Sequence, residues 1–94
     1  MKNYSYATRN ILYYFEVTMR GKYKRDDEAI KRLAVRVRMY RQELDLTMTE
    51  LAEKADMDYR QLAYMELGNV DSSLTKIVAV AKALGVKAGQ LIDE

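Results

Sequence analysis

Cysteine, histidine and proline are all absent from this 94-residue chain. Without cysteine, neither a disulfide nor a thiolate metal site can stabilise it. Without histidine, it lacks the commonest general base and the commonest zinc ligand. No glycine-rich phosphate loop is present either, and only four glycines occur in all. These absences leave no catalytic, metal or cofactor site to expect, and the chain does not read as an enzyme. Long apolar runs are missing too: nothing approaches the roughly 20 residues needed to cross a bilayer. The opening stretch "MKNYSYATRN" has no apolar core of the kind a secretory signal carries. A cytoplasmic location without a membrane partner is the expectation.

What is present is a globular composition, 49% hydrophobic and 32% charged, in a length that suits one domain. The formal net charge of +2 conceals an uneven distribution. Residues 1–32 carry eight Lys or Arg (2, 9, 20, 22, 24, 25, 31, 32) against four acids (16, 26, 27, 28), a balance of +4. Residues 33–94 carry the other eight bases against ten acids, a balance of −2.

Two kinds of pattern divide the chain. From Ile11 to Met19, "ILYYFEVTM" sets Ile11, Tyr13, Phe15, Val17 and Met19 on one side of a period-two alternation. That is a strand signal, broken at Gly21-Lys22. From Asp26 onward the pattern is helical throughout. Asp26 or Asp27 can cap a first helix with apolar residues Ile30, Leu33, Val37, Tyr40 and Leu44 at helical spacing. After a break at Asp45-Leu46, Thr47 and Glu50 form a capping box for a second helix running to about Ala55, with Leu46 and Leu51 at the positions of a hydrophobic staple. Asp58 with Gln61 reads as a second box, opening a third helix that Gly68 ends. Asp71 or Ser72 opens a fourth helix carrying Leu74, Ile77, Val78, Ala81 and Leu84. Gly85 stops it, and "KAGQLIDE" supplies a final turn or two.

Two short helices joined through Asp56, Met57 and Asp58 suggest a helix-turn-helix. Ala52 is small enough to stand where the helices cross. Asp56 tolerates a left-handed backbone. Leu51, Ala55, Met57, Leu62 and Met65 would point inward, leaving the outer face of the second of these helices for a DNA major groove.

The stretch from Leu33 to Ile92 resembles the phage-repressor-like (Cro/repressor, XRE-type) helix-turn-helix family. The likeness is distributed: Leu33-x-x-x-Val37-x-x-x-Arg41, then "LTMTELAEKA", "LAYMELG" and "LTKIVAVAKALGV". It implies a mostly α, five-helix lambda-repressor-like DNA-binding domain over residues 26–94, with residues 1–25 as an N-terminal extension. It implies a structural ion pair between Arg41 and Glu66. It also implies DNA contacts from Met48 and Thr49 at the start of the second helix, from Tyr59, Arg60, Gln61 and Tyr64 on the recognition helix (58–67), and from Asn69 in the loop after it. The sequence departs from the family in three places. Met48 replaces a common Gln that meets DNA, Asp56 replaces the usual turn glycine, and Ser72 stands where Pro is common.

Each of these side chains also has a plainer reading. Arg60 could grip a guanine in bidentate fashion, meet a phosphate, or simply be solvated. Tyr59 and Tyr64 could pack on a thymine methyl, bond a phosphate or cover the neighbouring helix. Gln61 could do no more than close the box with Asp58. The Ile11–Met19 segment has three readings. It could be a strand pairing with a second copy to make a homodimer, a helix or coil lying on the domain, or a docking site for another protein. Lys22, Lys24 and Arg25 could add salt-dependent phosphate contacts. The expected function is a sequence-specific DNA-binding transcriptional regulator, a repressor acting as a homodimer on a two-fold-related site in double-stranded DNA. The alternative is a protein-interaction module, such as an antitoxin or anchoring subunit, that docks a partner through residues 11–19.

Overall fold

The computed structural model describes residues 24–94; the strand expected over Ile11–Met19 lies outside them. Within this range the chain forms five α-helices: α1 (Asp27–Glu43), α2 (Met48–Lys54), α3 (Tyr59–Leu67), α4 (Leu74–Leu84) and α5 (Ala88–Ile92). No strand occurs among the described residues, and none of their helices is long and apolar enough to cross a membrane.

Helix starts follow from side chains that accept otherwise orphaned backbone N–H groups. Asp26 accepts from the Ala29 amide at 3.0 Å. Thr47 accepts from the Glu50 amide at 3.0 Å while Glu50 accepts from the Thr47 amide at 2.8 Å, a complete capping box. Ser73 caps α4 through the Lys76 amide at 3.3 Å, so this helix begins later than the Asp71 or Ser72 start expected from sequence. Three neighbouring residues able to cap competed there, and the last of them has the extended backbone a cap requires.

Helix ends share one device. After α1, α2 and α4 the chain turns left-handed at Asp45, Asp56 and Gly85, with φ of 56°, 53° and 75°. In each case the next amide reaches back to the carbonyl five residues earlier: Leu46 to Arg41, Met57 to Ala52 and Val86 to Ala81. This is a Schellman ending, and two of the three use aspartate where glycine is the unstrained residue. Gly68 ends α3 at φ 75°. A Cβ there would stand 3.3 Å from the Ala34 Cβ, so glycine also lets α3 close on α1.

The core joins all five helices. Val37, Leu51, Leu62, Met65, Val80 and Leu91 are fully buried, each contributing roughly 1.5–3 kcal/mol through removal from water. Leu33, Ala52, Ala55, Ala81 and Leu84 complete the cluster, and Tyr40, Leu46, Met48, Met57 and Ile77 pack on its edge. Two residues read as inward from their spacing are not: Leu44 is 50% exposed and Leu74 is 68% exposed. Each sits at a helix end, where the helical stripe no longer faces a neighbour. α5 is only five residues long and leaves carbonyls without helical partners. Arg32 answers that of Ile92 at 3.1 Å, and Arg36 those of Gln90 and Asp93. α1 therefore holds the C-terminal turn as well as α3.

Candidate nucleic-acid interface

The α2–turn–α3 unit places a short helix across the base of another, and its geometry follows from small and apolar residues. Ala52 is 3% exposed, and Leu51 and Leu62 are fully buried. The left-handed Asp56 lets the Met57 amide bond the Ala52 carbonyl at 2.8 Å, turning the chain directly into α3. Asp58 then caps α3 by accepting from the Arg60 amide at 3.0 Å. The bond goes to the second helical residue, not the third, so the reciprocal box expected between Asp58 and Gln61 is not formed. Gln61 is exposed and has no capping task.

The inner face of α3 is Leu62, Met65 and Glu66. A glutamate only 3% exposed needs a partner, because an uncompensated buried charge is strongly unfavourable. Arg41 of α1 supplies it in a fork: Nε donates to Oε2 at 2.7 Å and Nη2 to Oε1 at 2.9 Å. The third arm of the guanidinium, Nη1, donates to the Leu46 carbonyl at 2.9 Å. One side chain thus ties together α1, the turn before α2, and α3. The hydrogen bond to Glu66 holds the Arg41 pKa above its ordinary value against the opposing effect of burial. Arg38, one turn earlier on α1, donates to the Glu66 backbone carbonyl.

With its inner face anchored, α3 turns Tyr59, Arg60, Gln61 and Tyr64 outward. Tyr59 is 46% and Tyr64 50% exposed. Such large amphipathic side chains, left in water beside an arginine, suit stacking and hydrogen bonding at an interface. Leu67 follows Tyr64 by three positions and shares its stripe with Arg60, so the outer face has an apolar end that sequence reasoning missed. Thr49 is exposed at the start of α2. Met48 is not: it packs on the core edge and lines a hollow of about 330 Å³ with Arg38, Arg41, Ala63, Glu66 and Leu67. Arg38 was also missed from the sequence. Its side chain is 47% exposed at the junction of α1, α2 and α3, a position to meet an anion lying across the unit.

Asn69 follows the recognition helix and is exposed. Its carbonyl accepts from Arg25 Nη2 at 2.9 Å, while Arg25 Nε bonds Asp27 at 3.0 Å. The basic end of the N-terminal extension is thereby brought to the same edge as α3. No cluster of metal-ligating side chains occurs among the described residues.

Comparison with known proteins agrees with this geometry. A family model described as helix-turn-helix matches residues 37–91. Over 59 residues the chain is 37% identical to the immunity repressor protein of Bacillus phage phi105, an overlap of 63% of this chain and 41% of that protein. The chain therefore spans less than half the length of this relative. Among solved structures, the restriction-modification controller protein C.AhdI from Aeromonas hydrophila superposes with a TM-score of 0.64 at 25% identity, covering 67% of this chain and 96% of that one. The hypothetical transcription factor NHTF from Neisseria superposes with a TM-score of 0.67 at 27% identity, covering 77% and 84% respectively.

Proposed function

The chain belongs to the helix-turn-helix family in its phage-repressor-like form, and on that premise we propose that it is a sequence-specific DNA-binding transcriptional regulator, a repressor. The observation that carries this reading is the division of α3 into two faces. One is locked to α1 through Arg41 and Glu66; the other carries Tyr59, Arg60, Gln61 and Tyr64 exposed to solvent, their side chains without hydrogen bonds to other described residues.

In the proposed complex α3 enters the major groove. Arg60 makes bidentate contact with a guanine, which is worth about 1–3 kcal/mol of base discrimination. Tyr59, Tyr64 and Gln61 line the same groove. Thr49 and Asn69 meet the sugar-phosphate backbone on either side, with Arg38 and Arg25 adding charge. Met48, packed against the core edge, has the weakest claim to a contact. Residues 33–94 carry a slight acidic excess, so affinity rests on these few cations and on the basic extension of residues 1–25.

One α3 reads only a few base pairs, and a second copy doubles the contact. The active form is therefore a homodimer on a two-fold-related operator, its half-sites about one helical turn apart, assembled through the Ile11–Met19 segment and acting in the cytoplasm.

A salt titration of binding to the DNA upstream of its own coding sequence tests this. The expected result is sequence-specific binding that weakens steeply with salt and drops when Arg60 becomes alanine. Weak, sequence-independent binding that ignores Arg60→Ala would overturn it.

A further inference from the structure

The loop between α3 and α4, residues 68–73, carries Asn69, which in the proposed DNA complex meets the sugar-phosphate backbone beside α3. Such a contact depends on where the loop is held, because phosphate contacts set a protein's register and orientation on the duplex. Both ends of the loop are fixed. At its start Arg38 donates to the Glu66 carbonyl, and Gly68 lies so close to α1 that a Cβ would stand 3.3 Å from that of Ala34. At its end Ser73 caps α4 through the Lys76 amide. Between these anchors Asn69, Val70 and Asp71 are exposed, and exposed backbone with few packed neighbours is the least restrained part of a fold.

One side chain spans the gap. Arg25 Nη2 donates to the Asn69 carbonyl at 2.9 Å, and Nε of the same guanidinium donates to Asp27 Oδ1 at 3.0 Å. Nε and Nη2 form one planar edge, the edge by which Arg41 grips Glu66. Here it is shared between an acid of the first turn of α1 and a carbonyl 44 positions away. Among the described residues, no other hydrogen bond reaches the backbone of residues 69–72. The anchoring side is firm, since Asp27 opens α1 and Asp26 beside it caps that helix at the Ala29 amide. A lysine would carry the same charge without two fixed, parallel N–H groups.

We propose that Arg25 is a positioning residue: it latches the α3–α4 loop to the start of α1 and so sets Asn69 for its phosphate. This rests on the DNA-binding reading and adds to it a role for Arg25 that charge alone does not fill. The Arg25 side chain is 47% exposed, so the latch contributes little to overall stability. Its effect is local, on the path of residues 69–72, and variants at Arg25 remain folded.

Two measurements on the full chain test this, the first without DNA. Backbone nitrogen relaxation is expected to give order parameters of about 0.85 at Asn69, Val70 and Asp71 in the wild type, falling toward about 0.6 in Arg25→Ala and Arg25→Lys. α1 and α3 should stay unchanged in both. Equal order at the loop in all three proteins would overturn the latch. The second measurement titrates each protein, at several salt concentrations, against DNA that the wild type binds. Arg25→Lys is expected to lose affinity several-fold yet keep the wild-type salt slope, because its charge is retained. In an Asn69→Ala background, which keeps the carbonyl and removes the side-chain contact, the same change is expected to cost nothing further. Wild-type affinity in Arg25→Lys would make Arg25 a charge only and overturn the proposal, as would a loss undiminished by Asn69→Ala. A wild type that binds no DNA would overturn the functional reading and the positioning role with it, while the relaxation result separately decides the latch.

Discussion

Arg41 of α1 and Glu66 of α3 stand 25 residues apart in sequence and meet through two hydrogen bonds of 2.7 and 2.9 Å. Glu66 is the buried charge of the described core, at 3% exposure. Its carboxylate fixes the rotation of α3 about its own axis. That rotation decides which side chains the helix presents outward.

Removing one partner should therefore cost far more than removing both. Arg41→Met leaves the buried Glu66 carboxylate with only Arg38, whose Nε stands 3.9 Å away, and is expected to destabilise by about 3 kcal/mol, the lower end for a broken buried pair. The double variant Arg41→Met, Glu66→Leu is expected to recover much of that loss, since apolar replacements need no solvation. Urea denaturation of the wild type, both single variants and the double variant measures this coupling.

The turn inside the helix-turn-helix holds a removable strain. Asp56 sits at φ 53°, a conformation in which a Cβ is costly, and its negative charge lies at the end of α2, where the helix dipole disfavours it. Asp56→Gly is expected to stabilise by up to about 1 kcal/mol, partly offset by the freedom glycine adds to the unfolded chain. Thermal melting should show a rise of several degrees with DNA affinity unchanged.

Thr47 closes the capping box at the start of α2. Thr47→Ala is expected to destabilise by about 1 kcal/mol, and Thr47→Ser by much less, because serine keeps the accepting oxygen. Equilibrium unfolding compares the pair directly.

On DNA, arginines in different positions should fail differently. Arg38 stands at the junction of the three helices with its side chain 47% exposed, and a phosphate is the contact expected of it. Arg38→Ala is expected to weaken binding equally on all sequences and to lower the salt slope by about 1. Arg60→Ala is expected to cost about 1–3 kcal/mol and to relax the preference at one base pair per half-site. Fluorescence anisotropy titrations at several salt concentrations separate the two effects.

Local features were legible in the sequence, and contacts between distant segments largely were not. Thr47 and Glu50, Gly68, Gly85 and the left-handed Asp56 each announce a helix boundary through their own backbone chemistry. The apolar members of the buried faces of α2 and α3, Leu51, Leu62 and Met65, follow from the crossing of the two helices, whereas the burial of Glu66 beside them does not. Where candidates stood side by side, local chemistry could not choose. Asp71, Ser72 and Ser73 can all cap, and Asp58 can bond either of two amides. Leu44 and Leu74 have the right spacing but lie at helix ends, beyond the reach of a neighbour. The apolar spacing of α4 points to Ile77 and Val78, which are only half-buried, while Val80 is fully buried. The pairing of Arg41 with Glu66 came from family likeness, since no periodicity links positions on separate helices. Arg38 lies near Glu66 for the same long-range reason and carried no signal. Arg25 could be read as a basic residue, but its bond to the Asn69 carbonyl spans 44 positions.

The outward face of α3 as a reader of DNA sequence is tested most directly by selecting bound fragments from random double-stranded DNA with the full chain, then repeating the selection with Arg60→Ala. A two-fold-related consensus is predicted, its half-sites about one helical turn apart, with Arg60→Ala losing preference at one position in each half. Recovery of no consensus, or of the same consensus with and without Arg60, would contradict the account.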